Sequence, residues 1–295
     1  MRNFLIFILL MIVSNTMYSQ HNNQYSQYMF NGLSINPAYA GANEALNLTL
    51  LHRNQWTGFD GAPKTTSISA HTPLPNKKLN IGLSYTSDIY GVTNKNIANA
   101  IFAYKLKFKK STLSLGILGG VDITRNDWDK IVTTTSGDAL FEGQSQKLVT
   151  PLAGAGAFYL SKNYFIGLSA PALIQFSTYT KNTYNPILLN SGCILKYSEE
   201  MVFKPSILVK YINNSPIEFD LNLNAYYKNF GLGFSYRTND AVVFLMNYSI
   251  NDQFKVGYSY DLTITKLKTY NRGSHEVMLK YEFGYKLNAA SPRYF

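Results

Sequence analysis

The sequence predicts an all-β fold: a transmembrane, antiparallel β-barrel of about 14 strands. Three observations point there. Apolar and polar residues alternate with a period of two almost everywhere after residue 45. Charged residues make up only 15%, against roughly 25% in soluble domains. Aromatics reach 15%, with 23 Tyr and 18 Phe against 2 Trp. Tyrosine has an apolar body and a wet tip, which suits a surface that meets both lipid and water. A Tyr-rich soluble β-protein has a similar composition, so the strand pattern carries the distinction.

Residues 1–19 read as a signal peptide. Arg2 gives the positive start, Phe4 to Val13 is an unbroken apolar run of 10 residues, and Ser14-Asn15-Thr16 turns polar before Ser19. The competing reading is a membrane anchor, but the run falls short of the roughly 20 residues that a spanning helix needs. No later stretch approaches that length. A mature chain held in a membrane would therefore cross it as a closed barrel, the other way to satisfy every backbone group in lipid.

Residues 20–44 follow, with "QYSQYMFNGLSINPAYAGA" from Gln24 to Ala42. This stretch has almost no charge and no clean period, and Asn36-Pro37 opposes a helix. It either tucks into the lumen or seals its periplasmic mouth, or it lies along the rim as a flexible leader.

Residues 45–295 form one barrel domain. In "LNIGLSYTS", Leu79, Ile81, Leu83 and Tyr85 alternate with Asn80, Gly82, Ser84 and Thr86. The same alternation runs through "IEFDLNLNAYY", "FGLGFSYR" and "EVMLKYEFGYKL". Strands are expected near 46–54, 65–73, 79–87, 97–108, 111–125, 150–160, 164–170, 188–197, 201–211, 217–227, 230–238, 241–250, 253–262 and 275–287. Many approach the 9–11 residues of a tilted membrane strand. Tight Asn/Asp-rich turns at 228–230, 238–240 and 251–253 contrast with long connections at 126–149 and 171–187. Short turns at one rim and long loops at the other is the outer-membrane layout. The polar face carries acids, bases and Asn within strands, as a watery bore would require.

The formal net charge is +10, but the lysines are scattered and no long basic block or zinc-finger spacing is present. The lysines read as strand ends and turns, or as contacts with an acidic membrane surface or partner, and nucleic-acid binding is not expected. The single cysteine, Cys193, can form neither an intrachain disulfide nor a thiolate metal site. His21, His52, His71 and His275 show no metal spacing, and nucleophile-elbow, Walker and dinucleotide motifs are missing. Asp127 and Asp129 flank Trp128 and read as a polar loop. No cofactor and no enzymatic activity are expected.

The opening stretch, then "LHRNQWTGFDGAPKTTSISAHTPL" (51–74), then the terminal "SPRYF" (291–295), resemble the PorP/SprF family over essentially the whole mature chain. The motif residues are Asn36, Pro37, Ala38, Tyr39 and Gly41, and Arg53 to Trp56 followed by Gly58 and Gly61-Ala62-Pro63. His71 stands where relatives often carry an acid. The resemblance implies an outer-membrane component of the type IX secretion and gliding-motility system. It implies secretion or anchoring of surface proteins with a type B C-terminal targeting domain, and contacts with other components of the machinery. The alternative is a porin or small-molecule transporter. Tyr28, Asn36, Pro37, Tyr39, Arg53, Gln55 and Trp56 are the candidate partner-binding residues. For "RNQWTGF", docking of the secreted domain and plain anchoring of a strand end are both open. Trp56 and Phe59 suit the headgroup level, and Arg53 is offered Glu218 or Asp220 as lumen partners.

Overall fold

The computed structural model describes residues 25–130, 146–175, 185–213 and 215–283. The expected leader, the terminal "SPRYF" and the centres of the two longest loops lie outside the described residues. Strands β1 (Leu46–Asn54), β2 (Lys64–Pro73), β3 (Leu79–Tyr90), β4 (Thr93–Lys107) and β5 (Ser111–Asn126) open the sheet. They are followed by β6 (Gln146–Ser161), β7 (Tyr164–Gln175), β8 (Ile187–Cys193), β9 (Leu195–Lys196) and β10 (Met201–Tyr211). The last five are β11 (Glu218–Tyr227), β12 (Phe230–Arg237), β13 (Ala241–Ser249), β14 (Phe254–Thr263) and β15 (Ser274–Phe283).

Strands pair antiparallel with their neighbours in sequence, except that β8 meets β10 and not β9, and β15 returns to β1. Because β10 also pairs with β11, the sheet closes on itself and leaves no edge. The segments β8 and β9 both lie along β10 and form one interrupted stave, so the barrel has 14 strands. The ladder lapses opposite Pro205, which has no N–H to give.

Burial is inside-out relative to a soluble protein. Leu83 is 65% and Ile117 63% exposed on the outer wall, whereas Arg53 is 2% and Glu276 0% exposed within. Such a wall is stable only where hydrocarbon replaces water outside. The pleat produces it directly: in β1, Asn47, Thr49, Leu51 and Arg53 point inward, and Leu48, Leu50 and His52 point outward.

Connections at one rim are short, including 74–78, 108–110, 162–163 and 228–229. This turn rim faces the periplasm in an outer-membrane barrel, and the rim carrying the longer loops faces outward. Residues 25–44 run through the interior between the two rims in three single 3₁₀ turns, Tyr28–Phe30, Gly32–Ser34 and Pro37–Tyr39.

Candidate functional site

The interior segment is rooted at the turn rim by Gly41. Its N–H donates to His71 Nδ1 at 3.0 Å, and its carbonyl accepts from Lys105 Nζ at 2.6 Å. An accepting Nδ1 leaves the ring proton on Nε2, so His71 is the neutral imidazole. Gly41 has φ +69°, and a Cβ there would lie 2.0 Å from Asn80 Oδ1. Only glycine makes this bend between the segment and β1.

Above the root, Asn36 caps the turn Pro37–Tyr39. Its Oδ1 accepts the Ala38 N–H at 2.9 Å, and its Nδ2 donates to the Ala157 carbonyl on β6 at 3.0 Å. Pro37 occupies the first position of the turn, where a missing N–H costs nothing. The wall yields to this turn through glycine. A Cβ on Gly116 would stand 2.3 Å from Ala38 N and 2.5 Å from Pro37 C, and one on Gly156 2.2 Å from Asn36 Oδ1. Tyr39 fills the next space, edge-on to Phe158 at 5.4 Å and to His71 at 5.8 Å between ring centroids. Such aromatic pairs add about 0.5–1.5 kcal/mol to area burial.

Higher still, Leu33 packs with Ala40, Ile101, Ala103, Leu118 and Leu152. Ser169 Oγ donates to the Ile35 carbonyl at 2.6 Å, and Ser69 Oγ to Asn31 Oδ1 at 3.1 Å. Tyr28 takes a hydrogen bond from Asn222 Nδ2 at 2.7 Å. Phe30 lies among Ile194, Val202, Tyr226 and Met278.

The segment is latched near the loop rim by a charged ring on the ends of β1, β11, β12, β14 and β15. Arg53 pairs with Asp261 at 2.7 Å and Glu276 at 3.2 Å. Arg237 pairs with Asp220 at 3.2 Å, Asp240 at 3.0 Å and Asp261 at 3.5 Å. Two guanidiniums thus face four carboxylates, and donors from the segment complete the balance. The N–H groups of Ser26 and Gln27 each donate to one oxygen of Glu276 at 2.8 Å. Ser26 Oγ donates to Asp261 at 2.6 Å and accepts from Arg53 NH1 at 3.0 Å. Hydrogen bonds to ionised acceptors are the strong ones, about twice the neutral kind.

The partners of Arg53 correct the sequence expectation. Glu276 stands directly across the β1–β15 ladder from it. Asp220 is held by Arg237, directly across the β11–β12 ladder, and Glu218 by Lys210. Barrel closure sets the first strand beside the last, so an acid near the start of the last strand was the partner to look for.

The seven candidate residues separate into two places. Tyr28, Asn36, Pro37 and Tyr39 lie on the interior segment, and Arg53 on the wall that latches it. Gln55 is buried at the loop rim, and its N–H donates to the Pro63 carbonyl at 2.9 Å. Trp56 is half-buried with φ +47°. Its N–H donates to Ser274 Oγ at 3.1 Å. Thr57 exchanges backbone hydrogen bonds with Gly273 and Arg272, both at 2.8 Å, which ties the β1–β2 loop to the β14–β15 loop. Phe59 and Tyr270 are exposed at this joined end. Sequence reasoning missed Ser26, Asp261, Glu276, Arg237 and the wall glycines Gly116 and Gly156.

The model of the family described as type IX secretion system membrane protein PorP/SprF matches residues 17–281. The chain belongs to the PorP/SprF family. As a member it is an outer-membrane β-barrel of the type IX secretion system, with partners among that machinery. No curated protein matches its sequence.

Solved barrels share the architecture of this PorP/SprF chain. Omp33 of Acinetobacter baumannii is 8% identical, with a TM-score of 0.50 over 82% of this chain and 100% of that one. The toluene transporter TbuX of Ralstonia pickettii is 9% identical, with a TM-score of 0.50 over 85% and 92%. A deltaS2S3 mutant of the monoaromatic hydrocarbon channel TodX is 10% identical, with a TM-score of 0.51 over 89% and 95%. At these identities the likeness is one of fold.

Proposed function

We propose that this chain binds surface proteins bearing a type B C-terminal targeting domain, and helps to secrete them or hold them at the cell surface. It does so as a closed, non-enzymatic anchor whose apolar wall is solvated by outer-membrane lipid. The observation that carries this reading is the occupied bore. Residues 25–44 fill it from the Gly41 root to the Ser26 latch, where a conduit for small molecules needs free space. Tyr28, Asn36, Pro37, Tyr39 and Arg53 then serve the partner indirectly, by holding the barrel shut and its loop end in shape. Gln55 and Trp56 build the platform of residues 55–63 and 272–273 on which the partner rests, with Phe59 and Tyr270 as apolar anchors.

The test is single-channel recording of the full-length protein in planar bilayers, together with retention of a fused type B domain by the same preparation. Negligible conductance is expected. Retention is expected to be lost in Phe59→Ala/Tyr270→Ala. Porin-sized conductance with no retention would replace this reading by that of a porin or small-molecule transporter.

A further inference from the structure

The turn rim is electrically lopsided. Three successive turns, 74–78, 108–110 and 162–163, bring Lys77, Lys78, Lys109, Lys110 and Lys162 to one side of it, and Lys107 ends the adjoining strand. All six are exposed. A backbone hydrogen bond from Lys105 N to the Lys78 carbonyl, 2.7 Å, fixes the first two turns side by side.

Among the described residues, one carboxylate stands with them. Glu44 accepts from Lys107 Nζ at 2.7 Å and lies 3.9 Å from Lys77 Nζ. The Lys107 hydrogen bond, with the charges of Lys107, Lys105 and Lys77, holds the Glu44 carboxyl below its ordinary value. Glu44 is thus ionised and already engaged, and the exposed cluster keeps a formal excess of 5 positive charges, 6 − 1.

Among the described residues, the exposed charges of the other turns at this rim are balanced. Lys196 and Lys228 are set against Glu199, Glu200 and Asp252, and Lys228 pairs with Glu200 at 3.2 Å. A rim serving solubility alone has no reason to gather its lysines in one sector. Lipid headgroups surround a barrel evenly, so lysines placed for lipid would be spread around the circumference. A sector suits a body that approaches from one side.

We infer that the turn rim of β2–β7 is a docking surface for a soluble protein with an acidic face on the periplasmic side of the membrane. Exposed charge of one sign steers an oppositely charged partner and fixes its orientation, within a screening length of about 8 Å at physiological salt. The inference is independent of cargo binding, which the preceding section places at the opposite rim.

The test uses the full-length protein in phosphatidylcholine nanodiscs with polyglutamate as the probe. Lys77→Gln/Lys78→Gln/Lys109→Gln/Lys110→Gln is compared with Lys196→Gln/Lys228→Gln, after heat-modifiable migration shows both to be folded. We expect the first variant to lose at least about tenfold in probe affinity and the second less than about twofold. In cells, a carbodiimide, which joins lysines to carboxylates, should give a defined higher-mass adduct that only the first variant lacks. Equal losses in both variants would overturn the proposal. So would an effect confined to enrichment of phosphatidylglycerol around the barrel in mixed nanodiscs, which would assign the lysines to lipid.

Discussion

Arg53 faces Glu276 directly across the β1–β15 ladder, with its guanidinium 3.2 Å from the carboxylate. The same carboxylate spans two successive amides of the interior segment, so one ion pair joins the first strand, the last strand and the segment. Removing Arg53 leaves Asp261 and Glu276 buried with less compensation. Arg53→Ala is therefore expected to cost about 3–5 kcal/mol. The loss should show as a lowered temperature of the heat-induced gel shift. Glu276→Gln keeps one acceptor oxygen but turns an amide group towards the second N–H. It should loosen the segment more than the barrel, read as faster hydrogen exchange at Ser26 and Gln27 than in the strands.

Gly116 and Gly119 lie three residues apart on β5 and test opposite faces of the wall. A Cβ on Gly116 would meet the backbone of Pro37 and Ala38 inside 2.7 Å, whereas one on Gly119 meets nothing within 4 Å. Backbone cannot step aside as a flexible side-chain tip can. Gly116→Val is expected to force the segment off the wall and raise bilayer conductance. Gly119→Val should leave conductance unchanged, since it adds an apolar group to the lipid face.

Strand positions were legible because one face of each strand meets hydrocarbon, which enforces a strict two-residue period. Legibility stopped where the hydrocarbon stops. The expected third strand ends at residue 87 and the fourth begins at 97, but β3 runs to Tyr90 and β4 starts at Thr93, around a two-residue turn at Gly91-Val92. Ser87 pairs with Asn96, Asp88 with Lys95 and Ile89 with Asn94 across this hairpin, and Ile89 alone among these six is apolar, too little for an alternation to be read. The latch was not legible for another reason. Charge pairing between strands depends on register around a closed ring, and a residue such as Asp261 shows no local sign that it lies level with Arg53. Inward glycines such as Gly116 look the same in sequence as outward ones such as Gly119 until the pleat is phased.

Alkali should loosen the segment. Burial raises the phenols of Tyr28 and Tyr39 above their ordinary 10.0, with a further push from the Asp220 carboxylate at Tyr28 and from Glu282 at Tyr39. A docked group with a raised pKa contributes stability in full below its undocked pKa and loses it as pH rises beyond that value. These two residues therefore hold the segment undiminished up to about pH 10 and progressively less above it. Conductance should be flat up to that pH and rise beyond it. In Tyr28→Phe/Tyr39→Phe the rise should begin at higher pH, which assigns the effect to the phenols.

Asn36 works in two directions at once, and its variants should rank accordingly. Its oxygen caps the Ala38 N–H while its nitrogen holds the Ala157 carbonyl, and the group is wedged against Gly156 and Gly167. Asn36→Ala removes both bonds and is expected to cost about 1–2 kcal/mol of docking free energy. Asn36→Asp keeps the cap but aims a carboxylate oxygen at the Ala157 carbonyl in a buried site. Burying a charge without a partner costs more than deleting the group. Hydrogen exchange at Ala38 should therefore be slowest in the native protein, faster in Asn36→Ala and fastest in Asn36→Asp at neutral pH. If Asn36→Asp matched the native protein, the bond to Ala157 would contribute nothing and the cap alone would hold the turn.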